Sequence, residues 1–141
     1  MPLNASDTAP EGAGHTAHAL VESLPPLPGA PRHARDLVTE ACVRWDLGHL
    51  TGPATLITSE LVSNVLDHAH TTMTLHIALR PACLYLAVED GSASPPAPVR
   101  HPSTGPAGRG LHLVEAVSTT WGYSLGAGGK TVWATLSLPH P

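Results

Sequence analysis

Hydrophobic residues recur along this chain with two different periods, and the change of period separates helices from strands. Over 31–48 and again over 53–69, apolar residues return every three or four positions, as on one face of a helix. Pro31 suits a first helical position, and Gly48 marks the expected end of the first helix. The apolar positions are Ala34, Leu37, Val38, Ala41 and Trp45 in the first helix and Leu56, Ile57, Leu61, Val65 and Leu66 in the second.

From residue 72 onward the period is two, which predicts half-buried strands. The clearest case is TMTLHIALR, where every second residue from Met73 to Leu79 is a large apolar one. Further strands are predicted at CLYLAVED (83–90), TWGYSL (120–125) and TVWATLSL (131–138), with HALVESL (18–24) as a short edge strand. The GAGG stretch at 126–129 is an expected hairpin turn, and Trp121 and Trp133 beside it are expected in the core.

Residues 91–110 follow neither period and contain five prolines and four glycines. A connection of that length inside a compact domain is usually functional or mobile, so we expect a loop there. After it, the helical spacing of Leu111, Val114 and Val117 predicts a third helix. The order strand-helix-helix-strand-strand-loop-helix-strand-strand predicts an α+β two-layer sandwich, with helices on one face of a mixed sheet.

Length and composition narrow the class of protein. The 141 residues fit one domain at 18–141, preceded by a polar, Gly/Ala/Pro-rich tail at 1–17 that we expect to be disordered. A net charge of −4 with only seven Lys and Arg residues offers no basic patch for nucleic acid. No apolar stretch approaches the roughly 20 residues that span a bilayer, and the N-terminus has no secretory pattern. Cys42 and Cys83 are far apart and the histidines show no ligand spacing, so we expect reduced thiols, a cytoplasmic location and no histidine metal site.

A polar ridge interrupts the apolar pattern of the second helix. Glu60, Asn64 and His68 stand four apart, so their side chains lie one above another. Such a ridge is either a solvated helix face or the wall of a polar site. An amide and a carboxylate at this spacing supply one neutral and one charged oxygen, which suits Mg²⁺ and its water shell.

Two other stretches have polar or glycine-rich character at the ends of predicted elements. In VEDGS (88–92) an Asp at a strand end precedes a glycine, where it can accept a hydrogen bond from the amine of a flat ligand. In GPAGRGLHLV (105–114) a Gly-rich turn opens a helix, where free backbone N–H groups can approach phosphate oxygens. Each stretch alone is more often a plain turn or a flexible loop end. Together with the ridge they predict a nucleotide–Mg²⁺ site.

The same stretches carry a family resemblance. SELVSNVLDHA, LAVEDGS and GRGLHLVEAV, followed by GGKTVWA, resemble in order the N, G1 and G2 boxes of the GHKL (histidine-kinase-like) ATP-binding superfamily. More narrowly, they are similar to the small stand-alone branch of anti-sigma factor serine/threonine kinases of actinobacterial type. The resemblance spans about residues 31–138. It implies the two-layer α/β sandwich of the histidine-kinase/Hsp90-like ATP-binding type, with a mixed, mainly antiparallel sheet.

The resemblance also implies roles for individual residues. Glu60 would be the general base that handles the attacking hydroxyl, and Asn64 would bind the Mg²⁺ that bridges the ATP phosphates. Asp90, followed by Gly91, would accept the adenine amino group. The remaining positions that the resemblance places near the nucleotide are Gly108, Gly110 and Leu111 at the phosphates and Thr131 near the base. Arg109 and Arg100 are not implied by the resemblance; as the two cations of the predicted loop they are either phosphate contacts or plain surface arginines.

ATP and Mg²⁺ are thus the implied cofactors, and three functions stay open. The first is a serine/threonine protein kinase that phosphorylates an anti-sigma factor antagonist of the STAS type. The second is a nucleotide-responsive anti-sigma module that binds a sigma factor with little or no kinase activity. The third is a relative that has lost ATP and kept an interaction role, against which the intact Asn64 and Asp90 argue. The resemblance also implies a homodimer, without nucleic acid or membrane as a direct partner.

Overall fold

The computed structural model describes residues 18–94 and 106–139. The predicted tail at 1–17 and most of the predicted loop at 91–110 lie outside them. The elements are β1 (Ala19–Leu24), α1 (Ala30–Arg44), a 3₁₀ turn (Gly48–Leu50), α2 (Thr51–Asn64) with a π turn (Val65–Ala69), β2 (Met73–Leu79), β3 (Cys83–Asp90), α3 (Pro106–Val117), β4 (Thr120–Gly126) and β5 (Gly129–Ser137). Within the described residues, no helix has the length and apolarity that crossing a bilayer requires.

The strands form one sheet in the order β1-β2-β3-β5-β4. Every pair of neighbours in it is antiparallel, and β2–β3 and β4–β5 are the two predicted hairpins. The predicted α+β two-layer fold is confirmed. The expected mixed sheet is antiparallel throughout the described strands.

The helices cover one face of this sheet. In β2, Met73, Leu75 and Ile77 are buried, while the residues between them are partly exposed. The same alternation runs along β5. The buried face joins the apolar sides of the helices in one core that includes Leu61 of α2 and Val114 of α3. Removing this apolar surface from water is the main term that holds the two layers together.

Helix α1 ends in a hydrogen-bonded cap that redirects the chain toward α2. Asp46 takes a left-handed backbone conformation with φ of 60°. Its N–H bonds to the carbonyl of Val43 at 3.2 Å, and the N–H of Leu47 bonds to the carbonyl of Cys42 at 2.7 Å. This pair of bonds is the Schellman arrangement, which satisfies carbonyls that the helix end leaves open.

Helix α2 ends in a π turn directly after Asn64. The predicted helix at 53–69 is observed from Thr51, but its last five residues have π geometry. His70 then adopts a left-handed φ of 57° and donates its N–H to the carbonyl of Val65 at 2.9 Å. Because a π turn is wider than an α turn, the ridge of residues four apart does not continue through it. His68 is exposed, whereas Asn64 is buried.

Candidate functional site

Asp90 and Lys130 form a buried ion pair at one end of the sheet. They lie directly opposite each other on β3 and β5, on the face that the helices cover. Lys130 Nζ is 2.7 Å from Asp90 Oδ2, and the two side chains are 2% and 0% exposed. Oδ1 of the same carboxylate accepts the N–H of Ser92 at 2.7 Å. The carboxylate is therefore held by two donors, one of which balances its charge inside the protein.

Asn64 and Glu60 lie on successive turns of α2, which packs over β3 and β5. Asn64 is buried, and its Oδ1 has no hydrogen-bond partner among the described residues. A buried oxygen left without a donor costs roughly 1–3 kcal/mol, so this atom suits a bound cation or an incoming donor. Glu60 is half-buried. The ridge is therefore not a fully solvated helix face, because its central member is enclosed.

The oxygen of Asn64 fits a Mg²⁺ ion that a nucleotide brings with it. Mg²⁺ prefers hard oxygen ligands and usually combines one or two protein oxygens with substrate phosphates and waters. In the part of the chain that the structure describes, no group of three His, Cys, Asp or Glu side chains could hold a metal ion alone. If Mg²⁺ binds here, Asn64 would be one ligand among phosphate and water oxygens.

The turn after Asp90 is fixed from two sides. Thr71 Oγ1 accepts the N–H of Gly91 at 2.9 Å and donates to the carbonyl of Thr72 at 3.1 Å. On β5, Gly129 comes so close that a Cβ there would overlap the carbonyl oxygen of Asp90. A Cβ on Gly91 would make only ordinary contact with Thr71, at 3.5 Å, so folding itself does not require a glycine at that position.

The glycine-rich stretch is part of α3 and not of the preceding loop. The helix includes Gly108, Arg109 and Gly110, which corrects the expectation that the loop extends to 110. Gly108 is among the first four helical residues, whose N–H groups have no acceptor within the helix and can face an anion. Leu111 is buried with 2% exposure, so its side chain belongs to the core. Arg100 lies outside the described residues.

Thr131 is not brought to the carboxylate of Asp90. It lies opposite Glu89 on β3, and its side chain is on the face away from the helices, because successive strand residues point to opposite faces. The residue opposite Asp90 is Lys130. Lys130 is not among the predicted site residues, although its alternation with the buried Val132 places it on the core face.

Comparison with known proteins bears on the fold. No family model and no curated protein matches the chain. The chain is similar to a solved structure of the RsbU and RsbW domains of Rv1364c from Mycobacterium tuberculosis, with a TM-score of 0.64 and 23% identity. The match covers 86% of this chain and 33% of that one, so the chain spans about a third of the length of that structure. At this identity the likeness shows a common fold, the two-layer sandwich of helices on an antiparallel sheet.

Proposed function

We propose that this protein binds ATP with Mg²⁺ between α2 and the end of the sheet, and that it acts in sigma-factor regulation. The observation that carries the proposal is the buried Oδ1 of Asn64, which has no partner among the described residues. It lies one helical turn from Glu60, on the helix that packs over the strands of Asp90 and Lys130. The shared fold with a structure that includes an RsbW domain supports this reading.

Each residue would have a distinct part in binding. Asn64 would hold Mg²⁺, which when bound neutralises charge on the phosphates. Asp90 would accept the adenine amino group through a lone pair that Ser92 and Lys130 leave open, since each carboxylate oxygen can accept twice. The N–H groups at the start of α3 would donate to phosphate oxygens. Because the side chain of Asp90 has no exposed surface, a base reaches it only when the site opens.

Calorimetric titration with ATP and GTP, each with and without Mg²⁺, tests this proposal. We expect ATP to bind more tightly than GTP, and Mg²⁺ to strengthen ATP binding. Asn64→Ala should remove the Mg²⁺-dependent part and lower ATP affinity about tenfold or more, because an oxygen ligand is lost. Ser63→Ala, one residue away on the same helix, is the matched control and should bind as the unmodified protein does.

Two results would count against ATP binding at this place. The first is no binding of either nucleotide by the unmodified protein, with or without Mg²⁺. The second is equal Mg²⁺-dependent affinity in Asn64→Ala and Ser63→Ala. The second result would mean that the protein binds nucleotide but that a residue other than Asn64 binds Mg²⁺.

Kinase activity is the first form of the proposed function. Glu60 would accept the proton of a Ser or Thr hydroxyl on an anti-sigma factor antagonist as the γ-phosphoryl group is transferred. We expect Glu60→Gln to bind ATP within about threefold of the unmodified protein while transfer falls by roughly 10²–10⁴-fold. Incubation of the protein and a STAS-type antagonist with γ-labelled ATP measures the transfer. Undiminished labelling of the antagonist by Glu60→Gln would show that Glu60 is not the base.

A nucleotide-responsive anti-sigma module with little or no turnover is the second form. The observation that favours it is the enclosed Asp90 carboxylate, since a closed site limits exchange of nucleotide. In that case ATP binds, the antagonist stays unlabelled, and a sigma factor is retained equally by the unmodified protein and by Glu60→Gln. A homodimer is the assembly that the resemblance implies for both forms.

A further inference from the structure

The ammonium group of Lys130 is buried, and within the described ranges only one of its three N–H donors has an acceptor. It carries three N–H donors, and one of them reaches Asp90 Oδ2 at 2.7 Å. Among the described residues no other group accepts a hydrogen bond from it. The side chain is only 2% exposed, so bulk water does not supply acceptors freely. A buried donor without an acceptor is costly, which makes a ligand acceptor at this place favourable.

The pair therefore offers an incoming molecule a hydrogen-bond acceptor and, directly beside it, a hydrogen-bond donor. Asp90 has lone pairs left after bonding Ser92 and Lys130, and Lys130 has N–H donors left after bonding Asp90. A phosphate group would place its negative charge against the carboxylate, so it is a poor occupant. A neutral group with a donor beside an acceptor satisfies both residues. The shielding of the pair from water strengthens such bonds.

We propose that Lys130 is a specificity residue of the nucleotide site, donating a hydrogen bond to a ring nitrogen of the adenine base. This inference rests on the proposed ATP binding. Adenine carries an amino donor flanked by two acceptors, N1 on one side and N7 on the other. Asp90 accepts the amino group, and Lys130, 2.7 Å from the same carboxylate, donates to the neighbouring ring nitrogen. The base is read by the ion pair and not by the carboxylate alone.

Two ATP analogues test this assignment, each of which replaces one ring nitrogen by carbon and keeps the amino group. We expect 1-deaza-ATP or 7-deaza-ATP to bind the unmodified protein about tenfold or more weakly than ATP, because a bond from a charged donor is lost. In Lys130→Met the same analogue and ATP should bind equally, since the donor is gone. Calorimetry with all three nucleotides gives the ratios.

Lys130→Met leaves the buried carboxylate of Asp90 without its counter-ion, which can unfold the protein. A second variant therefore keeps the role of Lys130 testable. Asp90→Leu/Lys130→Met removes both charges and leaves neither a donor nor an acceptor at these two positions. Its affinity for ATP should fall because the acceptor of the amino group is gone, and it should bind the analogue and ATP equally. Circular dichroism establishes that each variant is folded before the titrations are compared.

The outcomes separate this inference from the proposed function. If the unmodified protein binds no ATP, the proposed function fails and this inference fails with it. If ATP binds but both analogues bind as well as ATP does, only the role of Lys130 is overturned. The role is also overturned if either folded variant keeps the full preference of the unmodified protein for ATP over the weaker analogue.

Discussion

At the scale of single residues, Gly129 is the position where the backbone leaves no room for a side chain. Its φ of 153° is one that L side chains rarely adopt, and a Cβ would overlap the carbonyl oxygen of Asp90. We expect Gly129→Ala to lower the free energy of unfolding by about 2–4 kcal/mol, from backbone strain together with the clash. Urea denaturation measures the change.

The adjacent glycine provides the control for this substitution. A Cβ on Gly128 meets nothing within 4 Å. Gly128→Ala should therefore change the free energy of unfolding by less than about 1 kcal/mol. Equal stability of the two alanine variants would show that β5 does not need its close approach to Asp90.

The sequence predicted one side of the candidate site better than the other. The four-residue spacing of Glu60 and Asn64 places them together on a helix whatever its partners are, because the helix period alone decides it. The partner of Asp90 depends on the register between β3 and β5, and a shift of one residue moves a side chain to the other face. The family resemblance places Thr131 near the base, and the observed register puts Lys130, not Thr131, opposite Asp90.

The alternation of side chains between the two faces of the sheet also explains why only one of the two tryptophans packs against the core. Trp121 packs against the core, as expected. Trp133 is on the opposite face of the sheet, where its ring lies over Gly122 and would be 2.8 Å from a Cβ on it. A large aromatic side chain is usually at least partly buried, which is why Trp133 is expected in the core. Along β5, however, the residues on the core face are Val132 and every second residue on either side of it, so Trp133 faces the other way.

At the scale of elements, the π turn that ends α2 depends on a left-handed residue. His70 has a φ of 57°, which is unfavourable for side chains branched at Cβ. We expect His70→Val to lower the free energy of unfolding by about 1–2 kcal/mol, since Val resists this conformation. His70→Gly, which adopts it freely, should stay within about 1 kcal/mol of the unmodified protein. Thermal unfolding compares the two, and a His70→Val variant as stable as His70→Gly would contradict the explanation.

The pattern predicts element boundaries well where apolar side chains pack, and poorly at the start of α3, where glycines occupy helical positions. The helices and strands with strong apolar periods were found to within a few residues. α3 begins at Pro106, five residues before the predicted start at Leu111. Each interior glycine disfavours a helix by about 1 kcal/mol, so local preference argued for a loop. α3 packs against α2, and its Leu111 and Val114 are buried in the core, which outweighs that preference. Packing between distant segments is not visible in a local pattern.

At the scale of the whole molecule, folding encloses two thiols and so couples stability to alkaline pH. Burial raises the pKa of Cys42 above its usual range, although a hydrogen bond with Thr51 partly opposes it. Burial also raises the pKa of Cys83, against the opposing charge of Arg80. Both cysteines are free thiols. In the unfolded chain they ionise near their ordinary pKa of about 8.5, whereas the folded protein keeps them protonated to higher pH.

The sign of the effect follows from this difference in pKa. Above about pH 8.5 the unfolded state has lost protons that the folded state keeps, so rising pH favours unfolding. Below that pH the two states hold the same protons on these groups, and the contribution is fully present. Each thiol contributes a slope of at most about 1.4 kcal/mol per pH unit, and only between its unfolded and folded pKa values.

Replacing both thiols should therefore flatten the alkaline limb of the stability profile. We expect Cys42→Ala/Cys83→Ala to lose less free energy of unfolding than the unmodified protein between about pH 7.5 and about pH 10. Urea denaturation at intervals across this range gives the two slopes, and groups common to both proteins cancel in the difference. The double variant will have a lower absolute stability because Cys42 fills space in the core, so the slope is the quantity to compare. Identical slopes would mean that the folded protein gives up these protons as readily as the unfolded chain does.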